Sequence, residues 1–360
     1  MSCYPFLMPQ KISYSSAGVD IATADKTKKG MAESLKTDNP LVLNTIGAFA
    51  SVCEGVFPGF AHPVLVCKTE EPGSKQLLAF QHNRAKGICY DLINHLINDV
   101  IVMGAVPMFI QDLIVCGKLE QDVISQLVKH IAEACKAQGC NLTGGETSEQ
   151  PAVLAPGTYV LGASCIGVAE KNAIIDGKAI QPGDRVLALQ SSGPHTNGYT
   201  LIRALIKQDP TIIDAMIADR GKNPAPKKFL DLIMEPHRCY FTALKDLFKE
   251  NGLHGMAHIT GGGIPGNLNR ILPKTLNAVV DASLIKILPV FSFIKDKSGN
   301  DDTDMTNTFN LGVGMTIVVD PAFADTAIEH LKKHDVLAYD IGEIEKNGSG
   351  VVEMRGELQW

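Results

Sequence analysis

Between Asp91 and Met103 the chain reads Asp-Leu-Ile-Asn-His-Leu-Ile-Asn-Asp-Val-Ile-Val-Met, and Gly104 closes the run. Its polar residues Asp91, Asn94, His95, Asn98 and Asp99 fall at offsets 0, 3, 4, 7 and 8, which is one face of an α-helix; every other position is Leu, Ile, Val or Met. An amphipathic helix with a wet polar side is the plain reading. Solvated helix faces, however, are built mostly from Glu, Lys, Gln and Arg, which favour the helix. Asp, Asn and His are weaker helix formers but good partners for cations and hydrogen-bonded substrates. The stretch therefore reads as a helix with a functional polar face.

The remaining chain alternates strands and helices. Short apolar strands are expected at Val64–Cys67, Gln76–Phe80, Val106–Ile110 and Thr158–Val168, with a helix from Glu120 to about Gln138, ended by Gly139. A polar helix is expected at Lys26–Lys36, and Gly144–Glu149 is read as a turn. The polar, turn-rich stretch Lys171–Asp184 divides the chain into an N-terminal domain, 1–170, and a C-terminal domain, 171–360. In the second, strands are expected at 185–189, 256–260, 313–319, 341–345 and 351–354, and helices at 199–207, 240–250 and 323–334. Segment 219–228 reads as a loop, and 295–307 as a polar, mobile stretch. Both halves are α/β or α+β.

With 360 residues, 45% hydrophobic and 20% charged, the chain can bury two cores. Its apolar runs stop short of a membrane span, and the first thirteen residues lack the pattern of a signal peptide. Nine cysteines form no CxxC pair and read as reduced thiols of a cytoplasmic protein. A net charge of −6 argues against a nucleic-acid footprint.

Three small-residue turns stand out. Ser192-Gly-Pro-His-Thr-Asn-Gly198 heads a helix, where backbone N–H groups and the helix dipole favour an anion and His195 can move a proton. A capping turn with a surface histidine is the competing reading. Thr260-Gly-Gly-Gly263 follows His258; three glycines suggest close backbone approach to a ligand, and a plain tight turn stays open. His258 alternates with apolar neighbours and by itself reads as a core histidine. Gly144-Gly-Glu-Thr-Ser-Glu149 offers Glu146, which with Asp99 and the Glu70/Glu71 pair makes a set of hard oxygen ligands. No GxxxxGK[ST], GxGxxG, GxSxG or HExxH occurs.

In this order the motifs Asn98-Asp99, Gly117-Lys-Leu119, Gly144-Gly-Glu-Thr147, Ile174-Ile-Asp-Gly177, Ser192–Tyr199, Pro236-His-Arg-Cys-Tyr240, His258–Gly263 and Thr308–Met315 resemble the phosphoribosylformylglycinamidine cyclo-ligase family, the aminoimidazole ribonucleotide synthetases. The resemblance runs from Ala17-Gly-Val-Asp-Ile21 to the last strands. It implies a homodimer of two-domain subunits whose N-terminal sheets pair into a barrel, with ATP near that interface. The implied reaction is ATP-dependent ring closure of formylglycinamidine ribonucleotide through an iminophosphate. By motif, Asp99, Glu146 and Glu70 would hold Mg²⁺, Ser74, Lys75, Asp91 and Asn98 would line the ATP site, and Lys75 would meet phosphate. His195, His258 and Lys75 would be catalytic. Ser192, Gly193, Thr196, Asn197 and Thr260, Gly261, Gly262, Gly263 would bind substrate, the last four around its phosphate. The chain differs from the family where Thr69-Glu-Glu-Pro-Gly-Ser-Lys75 replaces Thr-Asp-Gly-Val-Gly-Thr-Lys, where Asn94 and His95 replace small or apolar residues, and where Asn307 replaces Arg. A nucleotide-binding dimer of the same superfamily with altered catalysis is the alternative.

Overall fold

The computed structural model describes residues 31, 34–44, 49–218, 225–346 and 348–360. The Ala17–Ile21 motif, most of the expected helix at Lys26–Lys36, and residues 219–224 lie outside these.

The N-terminal half is a four-stranded sheet covered on one face. In chain order it runs β1 (Pro63–Glu70), α1 (Lys75–Gln81), α2 (Ala85–Ile101), β2 (Val106–Cys116), α3 (Gln121–Ala137), β3 (Asn141–Glu149) and β4 (Tyr159–Glu170). The strand order is β1-β4-β2-β3. β4 pairs antiparallel with β1 and β2, while β2 and β3 are parallel and joined through α3, since parallel neighbours need a crossover. Alternate residues of each strand face α2 and α3, among them Ile110, Ile114, Leu161 and Cys165, all fully or almost fully buried. The other face is covered at one end, where Phe57 buries Phe109 and Val168, and is otherwise open, carrying Leu65, Leu113 and Val160, 59%, 43% and 37% exposed.

The C-terminal half comprises β5 (Arg185–Gln190), α4 (Tyr199–Gln208), β6 (Met216–Ile217), β7 (Lys227–Lys228), α5 (Phe229–Ile233), α6 (Phe241–Leu244), β8 (Leu253–His258), α7 (Gly263–Leu268), β9 (Asn277–Asp281), α8 (Pro289–Ser298), α9 (Asp302–Thr308), β10 (Val313–Val319), α10 (Ala324–Lys333), β11 (Ala338–Glu345) and β12 (Val352–Arg355). Six strands form one sheet in the order β12-β9-β11-β5-β10-β8, antiparallel except for β12–β9. Every residue of β8 and β10 is buried, so this end of the sheet is covered on both faces.

Five sequence expectations are corrected. Gln76–Phe80 lies in helix α1, because Leu78 and Ala79 turn into the core at helical spacing. Gly144–Glu149 is the second half of strand β3, held straight by its ladder to β2 across a bulge at Ile110/Gln111. The polar segment 295–307 is mostly helical: Pro289 starts α8, and the Asp301 side chain caps α9 by accepting from the Asp304 N–H. The expected helix at 240–250 is a single turn, α6, followed by a 3₁₀ turn at Lys245–Leu247. Lys227–Lys228, expected as loop, pairs with Met216–Ile217. No helix among the described residues is long and apolar enough to cross a membrane.

Candidate active site

The polar face of α2 is neither wet nor open. It is the seam between the two halves. Asp91, Asn94, His95 and Asn98 are buried, and three of them bind the backbone of segment 236–240. Asp91 Oδ1 accepts from the His237 N–H at 2.7 Å. Asn94 Nδ2 donates to the His237 carbonyl at 2.7 Å. Asn98 donates to the Arg238 carbonyl and accepts from the Tyr240 N–H, at 2.8 and 3.0 Å. Spacing along one helix face thus becomes a ladder of interdomain hydrogen bonds.

Lys75 completes the seam. Its ammonium is fully buried and donates at 2.9 Å to Asp91, to the His195 carbonyl and to the Glu235 carbonyl. An ammonium has three protons, so none is left for a phosphate. This arrangement makes Lys75 a tie between the halves. Burial pushes the Lys75 ammonium down and the Asp91 carboxyl up to about 6, each opposed by the other's charge.

Beside this pair four imidazoles touch. His195 stacks on His237 with centroids 3.8 Å apart and planes 20° apart. His237 Nε2 lies 3.0 Å from His258 Nε2, and His258 Nδ1 lies 2.7 Å from Asp99 Oδ1. His95 meets the Thr196 hydroxyl through Nδ1 at 2.9 Å. A carboxylate on Nδ1 makes that nitrogen of His258 the protonated one, leaving Nε2 to accept from His237. His195 Nε2 accepts the Ser192 N–H at 3.2 Å, so its proton sits on Nδ1, a buried donor with no partner. Burial, reinforced by neighbouring positive charge, holds His195 and His237 well below the usual histidine range and brings His95 to about 4. All three are neutral at pH 7.

At the outer end of the cluster lie carboxylates. Lys68 and Glu70 alternate along β1 on the α2 side, and the Lys68 ammonium bridges Glu70 and Asp99 at 2.9 and 3.0 Å. Burial works to raise the Asp99 carboxyl, but the hydrogen bonds from His258 and Lys68 outweigh it and hold it below the carboxylate range. Two carboxylates already drawn onto one cation suit the hard oxygen shell of Mg²⁺. Glu146 does not join them. It pairs in register with Leu113 and is exposed on the open face of β3, whereas Glu70, in register with buried Ala163, faces α2 from β1 at the opposite edge. Three strand spacings, roughly 14 Å, separate those edges. One chain cannot place all three carboxylates on one ion.

The turns converge on the same place. A Cβ at Gly73, in the turn that carries Ser74, would sit 3.1 Å from the Thr196 carbonyl, so this turn packs on Ser192–Gly198. His195 itself has φ +60, a left-handed conformation that histidine adopts more readily than most residues. Asn310 and Ser191 hold the Gly193 carbonyl at 3.0 Å each. Asn197 faces the other turn: its Nδ2 is 3.5 Å from where a Gly261 Cβ would lie. In Thr260–Gly263 the Gly262 and Gly263 N–H groups already bond the Asn307 and Thr260 carbonyls. Asn267 Nδ2 ties the Gly261 and Gly263 carbonyls at 3.1 and 2.8 Å. The glycines therefore allow close packing, and those two amides are not free to cradle phosphate.

Sequence reasoning missed Lys68, His237, Asn267 and Asn310 as site residues. Lys68 was findable, since positions two apart on a strand share a face with Glu70. His237 was legible only as part of a motif; its partners come from three distant segments.

The two halves match, at residues 61–169 and 181–355, the family models described as AIR synthase related protein, N-terminal domain and C-terminal domain. Fold and seam thus define a two-domain protein of the AIR synthase related class. A phosphoribosylformylglycinamidine cyclo-ligase of Nitrosococcus oceani is 38% identical over 334 residues, 92% of this chain and 91% of that protein. This chain belongs to the phosphoribosylformylglycinamidine cyclo-ligase family. Among solved structures, Escherichia coli HypE covers 92% of the chain and 94% of its own at TM-score 0.66 and 16% identity. The hydrogenase maturation protein HypE in complex with ATP covers 90% and 88% at TM-score 0.61 and 17% identity. At such identities these two share the fold.

Proposed function

We propose that this chain closes the imidazole ring of 5-aminoimidazole ribonucleotide from formylglycinamidine ribonucleotide, using ATP to activate the formyl oxygen as an iminophosphate. The observation that carries the reading is the convergence, at one interdomain seam, of the Ser192–Gly198 turn, the Thr260–Gly263 turn and the Glu70/Asp99 carboxylates. The relative's printed name supports the same substrate.

His195 is neutral and offers Nδ1–H, which suits a donor to the amide oxygen as that oxygen takes the phosphoryl group. Asn197, between the two turns, orients the substrate amide. His258, held by Asp99, is the second proton-transfer group. Asp99 and Glu70 would hold, with the nucleotide, Mg²⁺, which would supply charge neutralisation at the phosphates. Glu146 stays outside that shell in its own chain. Lys75, Asp91 and Asn98 act by fixing the seam that sets His195 against the carboxylates. The open apolar face of the four-stranded sheet is covered by a second copy, giving the homodimer. Eight free thiols among the described residues accord with a reducing cytoplasm.

The test is turnover of formylglycinamidine ribonucleotide with ATP and Mg²⁺, following ADP and aminoimidazole ribonucleotide together. Equal formation of both is expected. In His195→Asn, which tolerates the left-handed backbone, the rate should drop by about 10² to 10⁴. Nucleotide binding by folded dimer without ring closure would overturn the reading in favour of a catalytically altered binding protein.

A further inference from the structure

Nitrogen donors stand beside the carboxylates at the outer end of the cluster. His95, Asp99 and His258 each offer one ligand atom, and these atoms lie within 4.8 Å of one another. His95 Nε2 is 3.9 Å from Asp99 Oδ2, too far for a hydrogen bond. Ligands of a tetrahedral Zn²⁺, with metal–nitrogen bonds of about 2.0–2.1 Å, stand roughly 3.3 Å apart. Closing the set takes shifts of well under about 1 Å per side chain.

The surroundings match those of a built metal site. A metal-ligating imidazole normally has its other nitrogen engaged, which fixes ring and tautomer. Here His95 is engaged by the Thr196 hydroxyl through Nδ1, leaving Nε2 toward Asp99. His258 is engaged by His237 through Nε2, leaving Nδ1 toward Asp99. His237 Nδ1 is itself buried without a partner, so that ring is positioned by this contact. A cation is already drawn to the spot, because the Lys68 ammonium sits 3.0 Å from Asp99 Oδ2. Lys68 is on a long stem and 37% exposed, so it can swing out, and the partly exposed Asp99 gives an entry path.

We propose that His95, Asp99 and His258 form a two-histidine, one-carboxylate site for a first-row transition cation of the Zn²⁺ or Co²⁺ kind. Imidazole donors suit such ions and suit Mg²⁺ poorly. Binding displaces Lys68 and shifts tautomers with no net release of protons: His258 gives up its Nδ1 proton and carries one on Nε2, which then donates to His237 Nε2, and His237 carries its own proton on Nδ1. The site shares Asp99 with the Mg²⁺ position proposed above, so the two ions exclude one another. It does not depend on the nucleotide reading.

The test is Co²⁺ titration of the full chain, stripped of metal and free of nucleotide, followed by visible absorption. One equivalent should bind with the intense bands of a four- or five-coordinate nitrogen-containing site, and a large excess of Mg²⁺ should leave them in place. His95→Gln should weaken binding at least tenfold, and His237→Gln, which unseats His258, by about 10- to 100-fold. A surface group, Asp246 with His330 and His334, also brings three ligand atoms together and serves as the internal control. His334→Ala should leave the bands unchanged. Bands that vanish with His334→Ala, persist in His95→Gln, show only weak six-coordinate oxygen character, or disappear on adding Mg²⁺ would each overturn the site. The wild-type spectrum decides even if a variant fails to fold.

Discussion

Lys75→Met separates two roles for a lysine that sequence and structure read differently. In the structure this substitution strands Asp91 in the seam, with only the His237 N–H still bonding it. The cheapest response is for Asp91 to take up a proton. Neutralising at pH 7 a carboxyl with an unfolded value near 3.9 costs about 1.4 kcal/mol for each of roughly three pH units, hence about 4 kcal/mol. The orphaned His195 and Glu235 carbonyls add about 1 kcal/mol more. The sign follows from proton counts: the variant's folded state holds a proton that its unfolded state releases above about pH 3.9, so its deficit grows as pH rises. Urea denaturation should show a loss of about 5 kcal/mol at pH 7, shrinking to about 3.6 kcal/mol at pH 6 and levelling off below, where wild-type Asp91, raised to about 6, takes up a proton too. Adding Asp91→Leu should recover most of it, since a buried ion pair exchanged for apolar groups is often close to neutral. A loss under about 1 kcal/mol at pH 7, with nucleotide affinity falling instead, would refute the tie and restore the phosphate ligand.

Three further outcomes follow from the same geometry. Gly198→Ala should cost about 2–4 kcal/mol in urea denaturation, because φ there is +80 and the new methyl would enter the ring of buried Phe309. Lys68→Met should raise Mn²⁺ affinity, read by electron spin resonance, by up to about tenfold, since the competing ammonium is gone. The metal-free protein should lose stability as pH falls below about 6.5, by up to about 1.4 kcal/mol per unit for each of His195 and His237. Their folded values are depressed, so the unfolded chain binds the extra protons; a flat pH profile from 6.5 to 5 in thermal melts would contradict the buried neutral cluster.

What the sequence revealed depended on range. The periodicity of α2 was legible because offsets of 3 and 4 are local. Its destination was not, because Asn94 and Asn98 bond backbone about 140 residues away. Lys75 reads as a phosphate lysine by its place after Gly73-Ser74; only the carbonyls of His195 and Glu235 show that its donors are taken. Gly144–Glu149 has the composition of a turn, and β2 imposes a strand on it. Gln76–Phe80 fits either period, and the core facing Leu78 and Ala79 selected the helix. Glu146 carries the right chemistry on the wrong face, which no spacing along one strand can show without its register to Leu113.

The most direct test of the central claim is to follow the formyl oxygen. With substrate labelled by ¹⁸O at that position, and unlabelled ATP and water, each turnover should yield one ADP, one aminoimidazole ribonucleotide and one phosphate carrying the label. Ring closure with unlabelled phosphate would mean that the amide oxygen is never phosphorylated, and would contradict the assignment of His195 as its hydrogen-bond donor during transfer.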